Sequence, residues 1–336
     1  MPELLLLSAL CCVAMTAALV RMLRPLHTAE ALVRAGVTVA GAASVSVTAG
    51  MLTGADTAAF FLASSFAAAP VSVLLGAAAE EARPGRRGVA WALVLTWGVV
   101  VFPACSVVPP LIFGMCAASE CRVEDFGGGL ALLVSSSASV LLAWRAPGGV
   151  VRENWRRFAL PVFVVWVAGA FWLASLEGMV DAYTWRILLA AFVAPLGGAV
   201  AWVLVDVLRR AERHPLRSAA DGVLAGLVAI VPGAAGISFP WSLAVGALAG
   251  AAAALVYGLR RLSSAGRAGH WALVVLASTA VGYLAPAVSG DSIGLLFSGR
   301  IAALAPPMLA ILAVAAVGML ASAPIWAIRR STRQAP

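Results

Sequence analysis

The sequence predicts an all-α integral membrane protein with eleven transmembrane helices. Three observations carry that reading: composition, the recurrence of long apolar runs, and the placement of arginine. Of the 336 residues, 62% are hydrophobic and 11% charged, with a mean hydropathy of +0.98, far from the balance of a soluble domain. Apolar runs of about 20 residues recur along the whole chain, each long enough to cross a hydrocarbon core of ~30 Å. Every one of the 23 basic residues is arginine. With the heavy use of Ala and Gly, this is the codon signature of a GC-rich bacterial genome and carries no functional meaning.

The spans fall at 3–21, 32–53, 56–78, 88–109, 126–145, 158–177, 182–208, 218–236, 239–259, 270–288 and 301–328. The first has no basic residue before its apolar run, Glu3 precedes it and Arg21 and Arg24 follow it. It therefore reads as a retained helix rather than a cleaved leader. The fourth starts after the basic stretch ARPGRR, and the fifth after Asp125, whose carboxylate suits a helix N-cap. The seventh ends at Asp206, Arg209 and Arg210, which pair at the membrane surface in this reading, and the eighth starts near Asp221, read as its N-cap beside Arg213 and Arg217. Pro232 removes a hydrogen bond near the outer end of the eighth, and the turn GISFP leads into the ninth.

Arginine placement tests this count. With the N-terminus outside, six cytoplasmic segments hold 20 arginines, among them Arg34, and only Arg122, Arg186 and Arg300 lie outside. One helix more or fewer would scramble the alternation, so the positive-inside rule gives eleven spans, N-terminus out and C-terminus in, in the cytoplasmic membrane. The net charge of +8 is then a topology signal spread over short loops and not a nucleic-acid footprint.

Within the spans, Gly222 with Gly226 and Gly246 with Gly250 form two GxxxG pairs, the spacing that lets helix backbones approach closely in lipid. The ionisable residues offer little chemistry. No His, Cys or carboxylate cluster has metal-ligand spacing, no nucleophile–base pair is evident, and no phosphate loop is present, so neither a metal nor a cofactor is expected. Cys116 and Cys121 share one outer loop, where a disulfide or two free thiols are both open readings.

Longer stretches carry a resemblance. ADGVLAGLVAIVPGAAGISFPWSLAVGALAG at 220–250, EDFGGGLALLVSSSASVLLAW at 124–144 and ASSFAAAPVSVLLGAAAEEARPGRRGVAW at 63–91 keep one order and spacing, with shorter echoes in AFVAP at 191–195 and FGMCAASECRVEDFGGG at 113–129. Together they resemble the eighth and ninth, fifth, third and seventh helices of the ammonium transporter and Rhesus glycoprotein family. The resemblance implies a single transmembrane domain over 1–336, with one five-helix repeat at about 3–145, an inverted second at about 158–288, and an eleventh helix at about 301–328. It also implies a homotrimer in the lipid bilayer, a pore within each subunit, and a cytoplasmic regulatory partner.

The family's pore chemistry carries over position by position. The first pore histidine follows the family's helix-five aspartate by eight residues, and that position here is Leu133. Asp125 is that aspartate, with a structural role beside the site. The outer-site tryptophan is replaced by Phe113, Phe66 matches a family aromatic near the gate, and Trp172 of GAFWLASL stands at the second gate aromatic with Ser175 one residue from the site's serine. His270 reads either as the second pore histidine, twelve residues before Gly282, or as an interfacial histidine at a helix start, a neighbouring register placing Trp271 there instead.

Two functions follow from this set. One is a channel for ammonia, ammonium or another small neutral solute. The other is a family-derived bundle that has lost conduction and serves as an intramembrane enzyme, sensor or partner-binding scaffold, since fold alone does not fix function.

Overall fold

The computed structural model describes residues 2–23, 28–53, 62–83, 85–106, 123–142, 156–259, 267–289 and 295–327. Eleven principal helices run through them: α1 Pro2–Leu23, α2 Thr28–Thr53, α3 Leu62–Ala82, α4 Arg87–Ser106, α5 Leu130–Leu141, α6 Arg156–Ser175, α7 Ala182–Leu208, α8 Pro215–Ile230, α9 Phe239–Tyr257, α10 Arg267–Ser289 and α11 Ile301–Ala327. Among the described residues, eight helices are long and apolar enough to cross a membrane; α2, α5 and α8 are not in that set, α5 and α8 because they are short. The order and number of helices match the expectation from sequence.

Neighbour relations repeat with an offset of five helices. The contacts of α1 with α3, α2 with α3, α2 with α4 and α3 with α4 recur as α6 with α8, α7 with α8, α7 with α9 and α8 with α9. The two halves meet through α1 against α6 and α5 against α10. This is the arrangement that inverted repeats produce in transporters. The eleventh helix lies against α4, α5 and α10, and its outward residues Met308, Leu309, Leu312 and Leu320 are exposed, as lipid-facing positions are.

Close approach sets the second half. Gly222 and Gly226 of α8 and Gly246 and Gly250 of α9 all face one short segment of α7, from Ala194 to Gly198. A methyl group added at Gly226 would stand 2.5 Å from the Ala194 carbonyl oxygen and 2.8 Å from Pro195 Cα. The stretch APLGG at 194–198, which overlaps the end of AFVAP, is therefore the shared contact surface of two GxxxG helices. Gly282 of α10 lies in the same way against the Ala229 carbonyl of α8, and Gly318 of α11 against the Ser135 carbonyl of α5.

Several helix ends differ from expectation, each for a local reason. The N-cap of α8 is His214, whose Nδ1 accepts from Leu216 N, with Pro215 in the first turn where its missing N–H costs nothing. Asp221 is thus not a cap. It lies on the buried side of α8 and pairs with Arg213 and with Arg217, the latter at 3.1 Å. Asp206 pairs with Arg213 at 3.4 Å and accepts from Ser218 Oγ and Trp202 Nε1, while Arg209 turns to the carbonyls of Leu255 and Gly258. Asp206 therefore joins α7 to α8 and does not pair with Arg209 or Arg210 at the surface as expected. The Arg213 guanidinium is held over the Tyr257 ring, 4.3 Å from its centroid.

The α8 helix stops at Ile230, so Pro232 stands in the following turn, where its carbonyl accepts from Phe126 N at 2.8 Å. Its effect is to tie the start of the fifth helix to the end of the eighth. Arg34 is not a loop charge either. It sits on α2, 1% exposed, in an ion pair with Glu80 of α3. Cys116, Cys121 and Arg122 lie outside the described residues.

Candidate functional site

A cavity of about 500 Å³ lies between the halves, walled by α1, α3, α5, α6, α8 and α10. Its walls are aliphatic for most of their area, with Leu19, Val71, Leu75, Val165, Leu224 and Leu227 representative. Trp172 and Val231 stand at one end, near the last residues of α6 and α8. Glu80, Glu81, Leu23 and Trp271 stand toward the other, because α1 and α3 finish there and α10 begins there.

The helix entering this site from the fifth position is unusual. Asp125 precedes it, and its two carboxylate oxygens accept from Gly129 N at 2.6 Å and Leu130 N at 3.2 Å. Tyr283 of α10 donates its hydroxyl to the same carboxylate. The first turn beyond, Leu130–Val134, is a π-helical turn with Ser135 N bonded to Leu130 O. Such wide turns re-aim side chains and are frequent at functional sites. Here Leu132 and Leu133 both fall within the turn and both line the cavity. The following serines make mixed use of their hydroxyls: Ser135 accepts from Trp97 Nε1 at 2.9 Å, Ser139 donates to Gly318 O at 3.1 Å, and Ser136 and Ser137 line the cavity.

The structure brings two of the sequence-nominated residues into the cavity wall, Leu133 and Trp172. Phe66 and Ser175 are close by but outside it. Phe66 packs into the main apolar core, and Ser175 is buried with its hydroxyl donated to Trp172 O at 2.6 Å. Phe113 lies outside the described residues. The backbone of His270 is in the first turn of α10, and its side chain also lies outside what the structure describes. Trp271, the next residue, lines the cavity.

Glu80 and Glu81 are wall residues that the sequence reading did not single out. Their signal was present in GAAAEEARPGRR, an acid pair at a helix end ahead of a basic loop, but such a pair more often faces solvent. Glu80 is instead drawn inward by Arg34, and Gly76, one turn earlier, leaves room for the guanidinium, since a methyl there would come within 3.2 Å of Arg34 Nη2.

Comparison with known proteins fits this architecture. The ammonium transporter 2 of Schizosaccharomyces pombe is 32% identical over 198 residues, 55% of this chain and 37% of that protein. An ammonium transporter of Mycobacterium tuberculosis is 29% identical over 217 residues, 58% of this chain and 43% of that protein. The chain thus spans less than half the length of these curated relatives. Among solved structures, Mep2 from Candida albicans superposes with a TM-score of 0.79 at 16% identity, over 97% of this chain and 83% of that one. A structure titled Sensor Amt Protein superposes with a TM-score of 0.77 at 16% identity, over 98% of this chain and 93% of that one. The sequence model of the Ammonium Transporter Family matches residues 155–332, from α6 to just past α11. With half of the sequence matched by that model and the repeated helix contacts around a shared central cavity, the chain belongs to the ammonium transporter family.

Proposed function

We propose that this protein is a channel of the ammonium-transporter type, passing ammonia or another small uncharged solute along the cavity between its two halves. One observation carries the reading: a largely aliphatic chamber lies at the meeting of α1, α3, α5, α6, α8 and α10, in the middle of the bundle. Bringing a bare charge to mid-membrane costs several kcal/mol. Leu133 offers nothing to offset that cost, so the permeating species is neutral. Glu80 and Glu81 at one end supply acceptors for a solute that leaves its apolar surroundings there.

The remaining features of the reading are proposals of the same kind. The chain assembles as a homotrimer in the cytoplasmic membrane with its N-terminus outside, supported by the arginine distribution and by family membership. Its repeats run over about 3–145 and 158–288. Leu133, Trp172, Phe66 and Ser175 lie along or beside the route with Phe113 at its outer end, and His270, at the start of α10, is either the second pore histidine or an interfacial one.

A second reading is favoured by Leu133 itself. A leucine in the cavity wall, where the family's first pore histidine is expected, suits a bundle that binds a solute without passing it, as a sensor or scaffold does. Reconstitution separates the two. Ammonia-driven alkalinisation of proteoliposomes should exceed that of empty liposomes, and Val71→Trp, which narrows the chamber, should reduce the excess. An excess unchanged by the narrowed chamber would place the route elsewhere, and no excess at all would favour the binding protein.

A further inference from the structure

Four serines follow the π-helical turn of α5, and one of them uses its hydroxyl differently. A serine inside a helix commonly donates to the carbonyl one turn back. Ser135, Ser136 and Ser139 do so, to Ala131 O, Leu132 O and Ser135 O. Ser137 does not, and its hydroxyl meets no partner among the described residues. Its oxygen is also not sealed. The Ser64 hydroxyl and the Trp172 indole N–H are unpartnered too, but both are closed off from any occupant, and Ser137 Oγ is not among those closed atoms. Ser137 is 5% exposed and borders the chamber, so the surface that its oxygen keeps opens there.

Helix geometry agrees on the direction. Each residue turns the helix by about 100°, so a step of two brings Ser137 nearly opposite both Ser135 and Ser139. Those two look away from the chamber: Ser135 accepts from Trp97 of α4, and Ser139 donates to Gly318 O of α11. Ser137 thus shares the chamber side of α5 with Leu133, one turn before it, and Val140. The walls that α3 and α10 set against α5 are aliphatic at Val71, Leu75 and Val275, and the carboxylates of Glu80 and Glu81 stand apart at one end.

This setting narrows the occupant. A hydroxyl offers one donor and two acceptor lone pairs. Alone among aliphatic side chains it cannot replace the water around a cation, so a charge beside it stays uncompensated. The solute that fits is uncharged, brings a strong acceptor to the O–H, and has an apolar body for a chamber of about 500 Å³. A free-base alkylamine combines these properties. Its nitrogen lone pair accepts from the hydroxyl, an N–H returns a bond to the oxygen, and its protonated form has no lone pair to offer.

We propose that Ser137 is the solute-binding hydroxyl of the chamber, and that the class it takes is a small alkylamine in its uncharged form, with ammonia the smallest case. The inference deepens the channel reading by naming a contact residue and a solute class, and it rests on that reading for its premise that solute resides in the chamber.

Fluorine NMR of the full-length protein in detergent tests it, against a background of empty micelles. The probes are trifluoroethylamine, at a mildly alkaline pH where it is uncharged, and two isosteres, trifluoroethanol and trifluoropropane, in which a hydroxyl or a methyl replaces the amino group. Saturable binding is expected for the amine, weaker binding for the alcohol and the weakest for trifluoropropane. Ser137→Ala should weaken amine binding by about 3–10-fold, the worth of one neutral hydrogen bond, and leave trifluoropropane unchanged. Ser139→Ala, which removes a hydroxyl from the opposite side of the same helix, should bind the amine as wild type does. Equal binding of all three probes to wild type, or an amine affinity that Ser137→Ala leaves intact, would overturn the proposal. Tighter binding of the alcohol would overturn the amine assignment. The comparison of probes on wild-type protein stands even if a variant fails to fold. Amine binding without ammonia flux would remove the channel reading and keep the site, and ammonia flux without amine binding would do the reverse.

Discussion

Tyr283 of α10 donates its hydroxyl to Asp125 Oδ1 at 2.5 Å, joining residues 158 positions apart in sequence. The bond locks the start of α5 to α10, one of the two pairs through which the halves meet. The same carboxylate holds the amides of Gly129 and Leu130 and so sets the helix whose π-helical turn carries Leu133. Asp125 thus shapes the chamber through backbone geometry, from outside its wall.

Removing the hydroxyl should cost stability in proportion to a hydrogen bond to a charged group. Tyr283→Phe is expected to destabilise the protein by about 1.5–3 kcal/mol, and Asp125→Ala by more, because it leaves the hydroxyl and two amides without their acceptor. Thermal unfolding in detergent, followed by a tryptophan-independent signal, checks the order. If Asp125→Ala melted at the wild-type temperature, the carboxylate would have no structural role.

The glycines facing α7 should tolerate nothing larger. Gly226→Leu and Gly250→Leu each drive a side chain into α7 backbone, at Ala194–Pro195 and at Gly198 respectively. Overpacking of this kind costs at least about 1–3 kcal/mol, and in these helices there is no flexible neighbour to yield. Loss of monodisperse protein on size exclusion is the expected outcome. Unchanged elution and melting temperature in both variants would reject the close approach.

The buried pair of Arg34 and Glu80 supplies a double-mutant test. Glu80→Leu alone leaves a guanidinium buried at 1% exposure, and removing one partner of such a pair costs about 3–5 kcal/mol. Arg34→Met with Glu80→Leu should recover most of that loss, since two apolar side chains of similar size replace two charges. A double variant no more stable than the single one would show that Glu80 acts chiefly through its other contacts.

Much of this was legible in the chain. Arginine alternation gave the number of helices because loops and lipid sort charge regardless of packing detail. The small-residue spacing at Gly222, Gly226, Gly246 and Gly250 gave a close contact, yet could not say that both helices press on the same short stretch of α7, Ala194 to Gly198. Counting eight residues from Asp125 led to Leu133, which does line the chamber, although the count assumes a uniform helix and the turn there is wider. Capping was the weak point. Pro215 marks a first turn and makes His214 the cap, whereas the acid in Asp221 drew the assignment about two turns too far along. Arg34 was taken for a loop charge because its partner, Glu80, is distant in sequence. Phe113 and the side chain of His270 fall outside the described residues, so their part of the site rests on sequence alone.

The central claim is that solute crosses through the chamber whose wall includes Leu133, and a gain of function at that residue tests it most directly. Leu133→His adds a hydrogen-bonding side chain at the position of the family's first pore histidine. The measurement is stopped-flow internal pH in proteoliposomes given an ammonium gradient, with wild type, Leu133→His and empty vesicles side by side. The account predicts a small excess over empty vesicles for wild type and a several-fold larger one for Leu133→His. Folded wild type and folded Leu133→His both indistinguishable from empty vesicles would contradict it, and the bundle would then be a binding protein built on a transporter frame.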